Sequence, residues 1–229
     1  MKKKTFYEEV AYVVGLLMLA LGTALTEFGG FGISMVVAPA YILHLKVSTI
    51  LPFFSFGMAE YVLQATILLV MMLLLRKVKV AYFLSFLTAV LYGFALDGAM
   101  SLVSILPENG IIIKVVAYVA GVIICAAAIA LLFHTYLPPE VYEMFVKEVS
   151  SKLQIKLSTF KIMYDCGSLL IAVVLSFVLF KAIVGIGVGT IVCAFLNGML
   201  IAWFSYIYER VWEFRARFNF PIVNQKERN

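Results

Sequence analysis

The chain has 229 residues, 64% of them hydrophobic and 14% charged, with a formal net charge of +5. A soluble domain is about 45–50% apolar and about 25% charged, so these figures exclude an ordinary water-soluble domain and point to lipid as the solvent. The basic residues flank apolar segments instead of forming one patch, which argues against nucleic acid and for the bias of Lys and Arg toward cytoplasmic loops.

Met1-Lys2-Lys3-Lys4 before an apolar run imitates a signal peptide, and Gly22-Thr23-Ala24 resembles a cleavage site. Glu8 and Glu9 spoil that reading, and further spans follow, so a first transmembrane helix starting inside is expected over about Val10–Leu25. Gly29-Gly30-Phe31-Gly32-Ile33-Ser34 comes next, then Met35–Leu45, an apolar piece too short to cross and therefore re-entrant or interfacial. A second span is expected over Ile50–Leu75, ending at Arg76-Lys77-Val78-Lys79. The third covers Val80–Leu106 and stops at the turn cluster Pro107-Glu108-Asn109-Gly110. In the fourth, Ile111–Phe133, Ala117, Gly121 and Cys125 recur every fourth residue, which allows close helix packing.

The longest polar connection is His134–Thr159. Pro138-Pro139-Glu140 suits a helix start, with proline in the first turn and an acid near the positive helix end. Val141, Phe145, Val149 and Leu153 share one face, the pattern of an amphipathic helix lying on the membrane. The fifth span is expected over Phe160–Phe180. After the glycine-rich stretch 181–189 the sixth covers Val188–Tyr208, with Trp203, Tyr206, Tyr208 and Trp212 as an aromatic belt. Residues 210–229 form a polar tail.

Both termini inside puts 15 of the 18 basic residues on the cytoplasmic side and leaves Lys46, Lys114 and Lys181 outside. The fold class expected is thus an all-α polytopic membrane protein of about six transmembrane helices, one membrane domain over residues 1–229. An internal repeat is suggested by Ala89-Val90-Leu91-Tyr92-Gly93 against Ala194-Phe195-Leu196-Asn197-Gly198, and by Ser48-Thr49 against Ser158-Thr159. Halves 1–106 and 111–209, each of three crossings and a membrane-lying segment, would be inverted 3+3 repeats, as in many secondary transporters.

Lys147 to Lys156, then Phe160-Lys161-Ile162-Met163-Tyr164-Asp165, Val184-Gly185-Ile186-Gly187-Val188-Gly189-Thr190-Ile191 and Asn197-Gly198, resemble in their order the YczE/YitT-like family of bacterial integral membrane proteins. Gly30-Phe31-Gly32-Ile33-Ser34 and Gly93 with Asp97 extend the resemblance to nearly the whole chain. The chain departs from it in having Met35 where Pro often follows the Ser, and Asn197-Gly198 where Gly-Pro is frequent. The resemblance implies a multi-span protein of the bacterial inner membrane, of a kind often taken for transporters, and implies no reaction.

Carboxylates inside apolar spans are the strongest functional signal, because each costs about 2.5–3.5 kcal/mol to insert. Glu60 and Gln64 share a face of span two, with Gly57 leaving room beside them. Gly93, Asp97, Ser101 and Ser104 share a face of span three, and Thr190, Asn197 and Ser205 one of span six. These stripes either converge on a wet cavity or pin helices together as a hydrogen-bond network. The expected substrate or ion site is Glu60, Gln64, Asp97, Thr190 and Asn197, with Glu60 and Asp97 as a pair.

Secondary candidates are Glu27, Ser34, Gly93, Asp165, Gly187 and Gly189. Asp165 is equally placed to pair with Lys161 four residues earlier. The glycine stretches before Ser34 and Thr190 either place backbone N–H groups at helix starts, which attract anions, or let backbone pack closely in a bent helix; both are expected toward the outer side, where they would face one another. Three cysteines without C-x-x-C, and two isolated histidines, His44 and His134, give no disulfide framework, zinc site or cofactor motif, so no metal or cofactor is expected. Paired catalytic acids are not expected, since Asp97 and Asp165 fall in opposite halves of the bilayer, and the chain is read as non-enzymatic. The function expected is a secondary transporter or facilitator of a small cationic or proton-coupled solute. A non-transport accessory or scaffold is the alternative. Expected partners are the solute, the lipid bilayer and further copies of the chain, with no nucleic acid.

Overall fold

The computed structural model describes residues 4–107 and 110–217, apart from the side chains of residues 157, 158, 194 and 195. The expectations for Lys2, Lys3, Glu108, Asn109, Lys226 and Arg228 lie outside the described residues. Strand β1 (Lys4–Tyr7) leads into α1 (Glu8–Gly29), the short α2 (Ala38–Val47), α3 (Phe56–Leu75) and α4 (Val80–Val103). Then come α5 (Ile111–Phe133), the short α6 (Val141–Leu153), α7 (Leu157–Phe180), α8 (Val188–Val211) and β2 (Trp212–Arg215). The chain is an all-α polytopic membrane protein. Among the described residues α1, α3, α4, α5 and α7 contain segments long and apolar enough to cross a membrane, and α8 has 24 residues. In α7 only 17% of the apolar window is buried inside the protein, so most of its apolar surface faces outward.

Local chemistry sets the helix ends. α1 runs on past the expected Leu25 until Gly30, whose left-handed backbone (φ 71°) closes it with an N–H bond to the Glu27 carbonyl. α3 begins at Phe56, six residues later than expected. Ser55 supplies the cap there, its hydroxyl accepting from the Met58 N–H at 3.1 Å. The fourth span matches α5 residue for residue.

α1 packs along α5 and against α4. The α1–α5 crossing is made by small residues. A Cβ at Gly22 would stand 2.6 Å from Cys125 Sγ, one at Gly121 would stand 2.7 Å from the Gly22 carbonyl oxygen, and one at Gly29 would stand 2.7 Å from Tyr118 Cβ. Lipid gives helices no hydrophobic reason to associate, so close backbone approach supplies the contact. α5 also packs on α8, and α3 on α4. The short α2 lies against α3 and α7, and the short α6 against α3, α4 and α7.

α6 departs from the surface helix expected of it. Val141, Tyr142, Met144, Val146 and Val149 are buried against neighbouring helices, while Leu153 is exposed. Its apolar face is covered by protein, because α3, α4 and α7 all pack against the helix. β1 and β2 pair in parallel, Lys4 opposite Trp212 and Tyr7 opposite Arg215, which brings both ends of the described chain together.

If the α1–α5 contact depends on missing side chains, even a methyl group should disturb it. Gly121→Ala should cost about 1–3 kcal/mol through overpacking, while Gly98→Ala, with open space around its Cβ, should be neutral or stabilising by up to about 1 kcal/mol. Thermal unfolding in detergent measures both.

A buried carboxylate cluster as the candidate functional site

Glu60 and Gln64 lie one turn apart on α3 and are completely buried. They face the segment that opens α6. Gln64 Nε2 donates to Glu60 Oε2 and to Glu140 Oε2, each at 3.3 Å, and Gln64 Oε1 accepts the Val141 N–H at 3.1 Å. The amide therefore bridges two acids and also caps the first N–H of α6 from another helix. The Tyr142 hydroxyl donates to Glu60 Oε2 at 2.7 Å. The remaining oxygens, Glu60 Oε1 and Glu140 Oε1, are buried without a hydrogen-bond partner among the described residues.

The loop that carries Glu140 is held by α4. Proline carbonyls are free to accept: Pro139 takes the Ser85 hydroxyl, and Pro138 takes that of Thr88 at 3.0 Å. Thr88 is also bonded to the Tyr12 hydroxyl of α1 at 2.5 Å. Glu140 is at the N-cap of α6, yet its side chain does not cap that helix and reaches Gln64 instead. Glu140 and Tyr142 were absent from the candidates drawn from sequence. An acid after two prolines reads as an ordinary helix start, and the signal that it meets Glu60 is spread over Ser85 and Thr88.

Burial, above all, holds the Glu140 carboxyl well above the usual carboxylate range; Glu60 and Glu143 add to this, while the Gln64 bond and Lys161 oppose it. The Tyr142 phenol is likewise pushed up, first by burial and then by Glu60, so it stays a donor. Lys161 lies 2.7 Å from Glu143 Oε1 and 3.4 Å from Asp165 Oδ1. The expected Lys161–Asp165 pair therefore exists, with Glu143 of α6 as the closer partner.

The expected pairing of Glu60 with Asp97 is not what the structure builds. Asp97 Oδ2 accepts from the Ser55 hydroxyl at 2.6 Å and Oδ1 from the Gly57 N–H at 2.9 Å, so the carboxylate caps the start of α3. A Cβ at Gly57 would meet the Gly93 carbonyl and Asp97, and one at Gly93 would meet the Tyr61 ring; both glycines serve the α3–α4 crossing. Ser101 and Ser104 are exposed and bond carbonyls of their own helix.

The stripe on α8 does not join the cluster either, because α8 packs on α5. Thr190 is buried and accepts from the Gly187 N–H at 3.2 Å, Ser205 meets His134 Nε2 at 2.7 Å, and Asn197 Oδ1 is buried without a partner among the described residues. The two glycine stretches do face one another. Gly189 N–H donates to the Phe31 carbonyl at 2.9 Å and Ile33 N–H to that of Gly185 at 3.3 Å. A Cβ at Gly187 would strike the Phe31 carbonyl, and one at Gly189 the Tyr118 hydroxyl. Ser34 starts the turn into α2, its carbonyl accepting from Val37 and Ala38, and Glu27 Oε1 accepts the Tyr41 hydroxyl at 2.9 Å.

A family model described as a family of unknown function (DUF6198) matches residues 6–206, from β1 through most of α8. The chain belongs to this family. Glu60, Gln64 and Glu140 all lie within the matched region. No curated protein and no solved structure matches the chain.

The Glu140 carboxyl has a consequence for stability. In the native state it keeps a proton that the unfolded chain releases near pH 4.5. Stability should fall as pH rises above that value until the native group ionises too, by at most about 1.4 kcal/mol per pH unit. The unfolding midpoint in detergent should therefore drop as the pH rises above about 5, and Glu140→Gln should flatten that drop. A variant profile parallel to the wild type would mean that Glu140 is ionised throughout.

Proposed function

We propose that this protein is a secondary transporter or facilitator of a small cationic or proton-coupled solute in the bacterial cytoplasmic membrane, with Glu60 and Glu140 holding the proton or cation. One observation carries the reading: two buried acids share one amide, each keeps an oxygen without a partner among the described residues, and the nearby Lys161 is engaged by Glu143 and Asp165. Two such carboxylates cannot both ionise cheaply without a cation between or beside them. Their occupancy must change with the charge brought to them, and that dependence is what couples a proton to a solute. The reading is non-enzymatic, and its partners are the solute and the lipid bilayer.

The packing supports an inverted 3+3 repeat. The order long, short, long, long occurs twice, over α1–α4 and α5–α8. Exchanging the halves converts α1–α4 into α5–α8, α2–α3 into α6–α7 and α2–α7 into α6–α3, and maps α1–α5 onto itself; all of these pairs are in contact. A relation to the YczE/YitT-like membrane proteins fits the same order of motifs.

Contacts between loops agree with both termini on one side. Arg217 N–H and the Tyr136 hydroxyl bond Glu9, Tyr136 N–H bonds Glu8, and Lys79 pairs with Glu148 at 2.6 Å. These join segments that charge counting assigns to the cytoplasm. Lys46, assigned outside, lies over the Phe180 ring beside Lys181. Lys77→Cys, Ser151→Cys and Arg217→Cys should accordingly react with an impermeant thiol reagent only from the cytoplasmic side, and Lys181→Cys only from outside.

The accessory or scaffold reading also has an observation in its favour: Glu60 and Gln64 are dry and bonded to neighbouring helices, as a purely structural network would be. Flux decides between the two. In pyranine-loaded liposomes a panel of small ammonium solutes should drive proton movement through the wild type. Glu60→Gln and Glu140→Gln preserve the shape of the network and should abolish the pH dependence, with the double variant little worse than either single one, as groups acting as a unit behave. Full flux with unchanged pH dependence in both variants would sink the transport role of the acids.

A further inference from the structure

We propose that the cavity between the two glycine loops, at the C-terminal end of α1, binds a small primary ammonium solute through the Glu27 carboxylate. This rests on the transport reading for its place on the solute's path, and it names the solute class. The cavity holds about 170 Å³ and is walled by Glu27, Tyr41, Ile33, Ile186 and the backbone of Gly30, Gly32, Gly185 and Gly187. A cavity of about 150 Å³ accepts a molecule the size of benzene, so the occupant has about six non-hydrogen atoms.

Its charge follows from the walls. Burial and the neighbouring Glu27 both push the Tyr41 phenol up, so it remains neutral and donates to Glu27 Oε1 at 2.9 Å. That leaves the Glu27 carboxylate as the charge among the lining side chains. It sits in the last turn of α1, where unpaired carbonyls give the helix its negative end, so the site favours a cation. Carboxylate and carbonyl oxygens are acceptors, which suits the N–H donors of a primary ammonium better than a fully methylated one. Ile33 and Ile186 line the same space, which suits an organic cation with a short alkyl body better than a strongly hydrated metal ion.

The site is built rather than incidental. Gly185 has a left-handed backbone (φ 74°), and a Cβ there would stand 2.8 Å from Tyr41 Cδ1, so the loop leaves room for the ring that orients Glu27. Phe56 packs edge-on against the same ring at 5.3 Å between centroids. The Ile33 N–H bond to Gly185 closes the two loops over the space.

Butylammonium chloride titrated into the full chain in detergent, followed by calorimetry, tests the assignment. Saturable binding is expected. Glu27→Gln should weaken it by about tenfold or more and Tyr41→Phe by less, whereas Thr66→Ala, exposed on α3, leaves it unchanged. Butyrate and tetramethylammonium should not compete. A second measurement does not depend on the folding of the Glu27 variant: with Ile186→Cys in a Cys166→Ser background, butylammonium should slow modification by a charged thiol reagent. No saturable binding to the wild type, equal affinity in a folded Glu27→Gln, or no protection of the cysteine at 186 would each overturn the site. Binding with intact Glu27 dependence supports it even if proton-coupled flux through Glu60 and Glu140 fails, because the titration is made at equilibrium without transport.

Discussion

The close approach of α1 to α5 is the constraint on which the remaining architecture depends. Gly15, Gly22 and Gly29 recur every seventh residue, so they line one face of α1, and their missing side chains meet Leu132, Cys125 with Gly121, and Tyr118 of α5. Backbone contact of this kind is the available route to tight association in lipid, since apolar side chains gain nothing by leaving lipid for each other. Because α1 opens one half of the chain and α5 the other, this seam joins the halves along their whole length. It also fixes where the elements after each of them must lie, including the glycine loops on one side and the paired strands on the other.

Around that seam the polar contacts divide into two kinds. Asp97 with the Gly57 N–H, Thr190 with that of Gly187, and Ser176 with the Val184 N–H at 2.7 Å satisfy backbone groups at helix ends or in loops; each replaces a bond that neither water nor lipid would provide. The Glu60–Gln64–Glu140 cluster is of another kind. Only the Val141 N–H in it is a backbone group, and its two acids share the Gln64 amide. A network whose purpose was to hold α6 against α3 would do better with one amide and one hydroxyl, because a second buried carboxyl costs desolvation without adding a bond that a neutral group could not make. The excess of acid over structural need singles this cluster out from the other polar contacts.

The helices were largely legible in the sequence because hydropathy and length decide them in lipid, and the fourth span was read residue for residue. Boundaries slipped where local capping won: Ser55 starts α3 well after the apolar run begins, and Gly30 ends α1 well after Leu25. The facing of the glycine loops follows from the span count, which puts both runs toward the same side of the membrane. The site was half legible. Glu60 and Gln64 stand out in the sequence as polar residues one turn apart in an apolar span, but the sequence points to Asp97, the other acid within a span, as their partner. What redirected Asp97 was the free backbone at the α3 start, and what delivered Glu140 was a proline loop pinned by two hydroxyls on α4. Both are tertiary contacts between residues far apart in sequence, and no periodicity encodes them.

On the inverted-repeat reading, the two halves differ in ways that bear on motion. The α3–α6 contact carries the acids and the amide, while its counterpart, α7 against α2, is built on Ile42, Ala172 and Leu175. α3 and α4 pack closely through Gly57 and Gly93 and are locked by Asp97; α7 and α8 make no comparable contact among the described residues. The α3–α4 crossing is thus tied by charge-assisted bonds, whereas α7 is held by the Lys161–Glu143 pair to α6 and by apolar contacts with α2. A symmetric pair of halves would have no preferred moving part. Here α7 and α8 lack, among the described residues, a crossing like that of α3 and α4, so on the transport reading proposed above the α7–α8 side is the expected moving part.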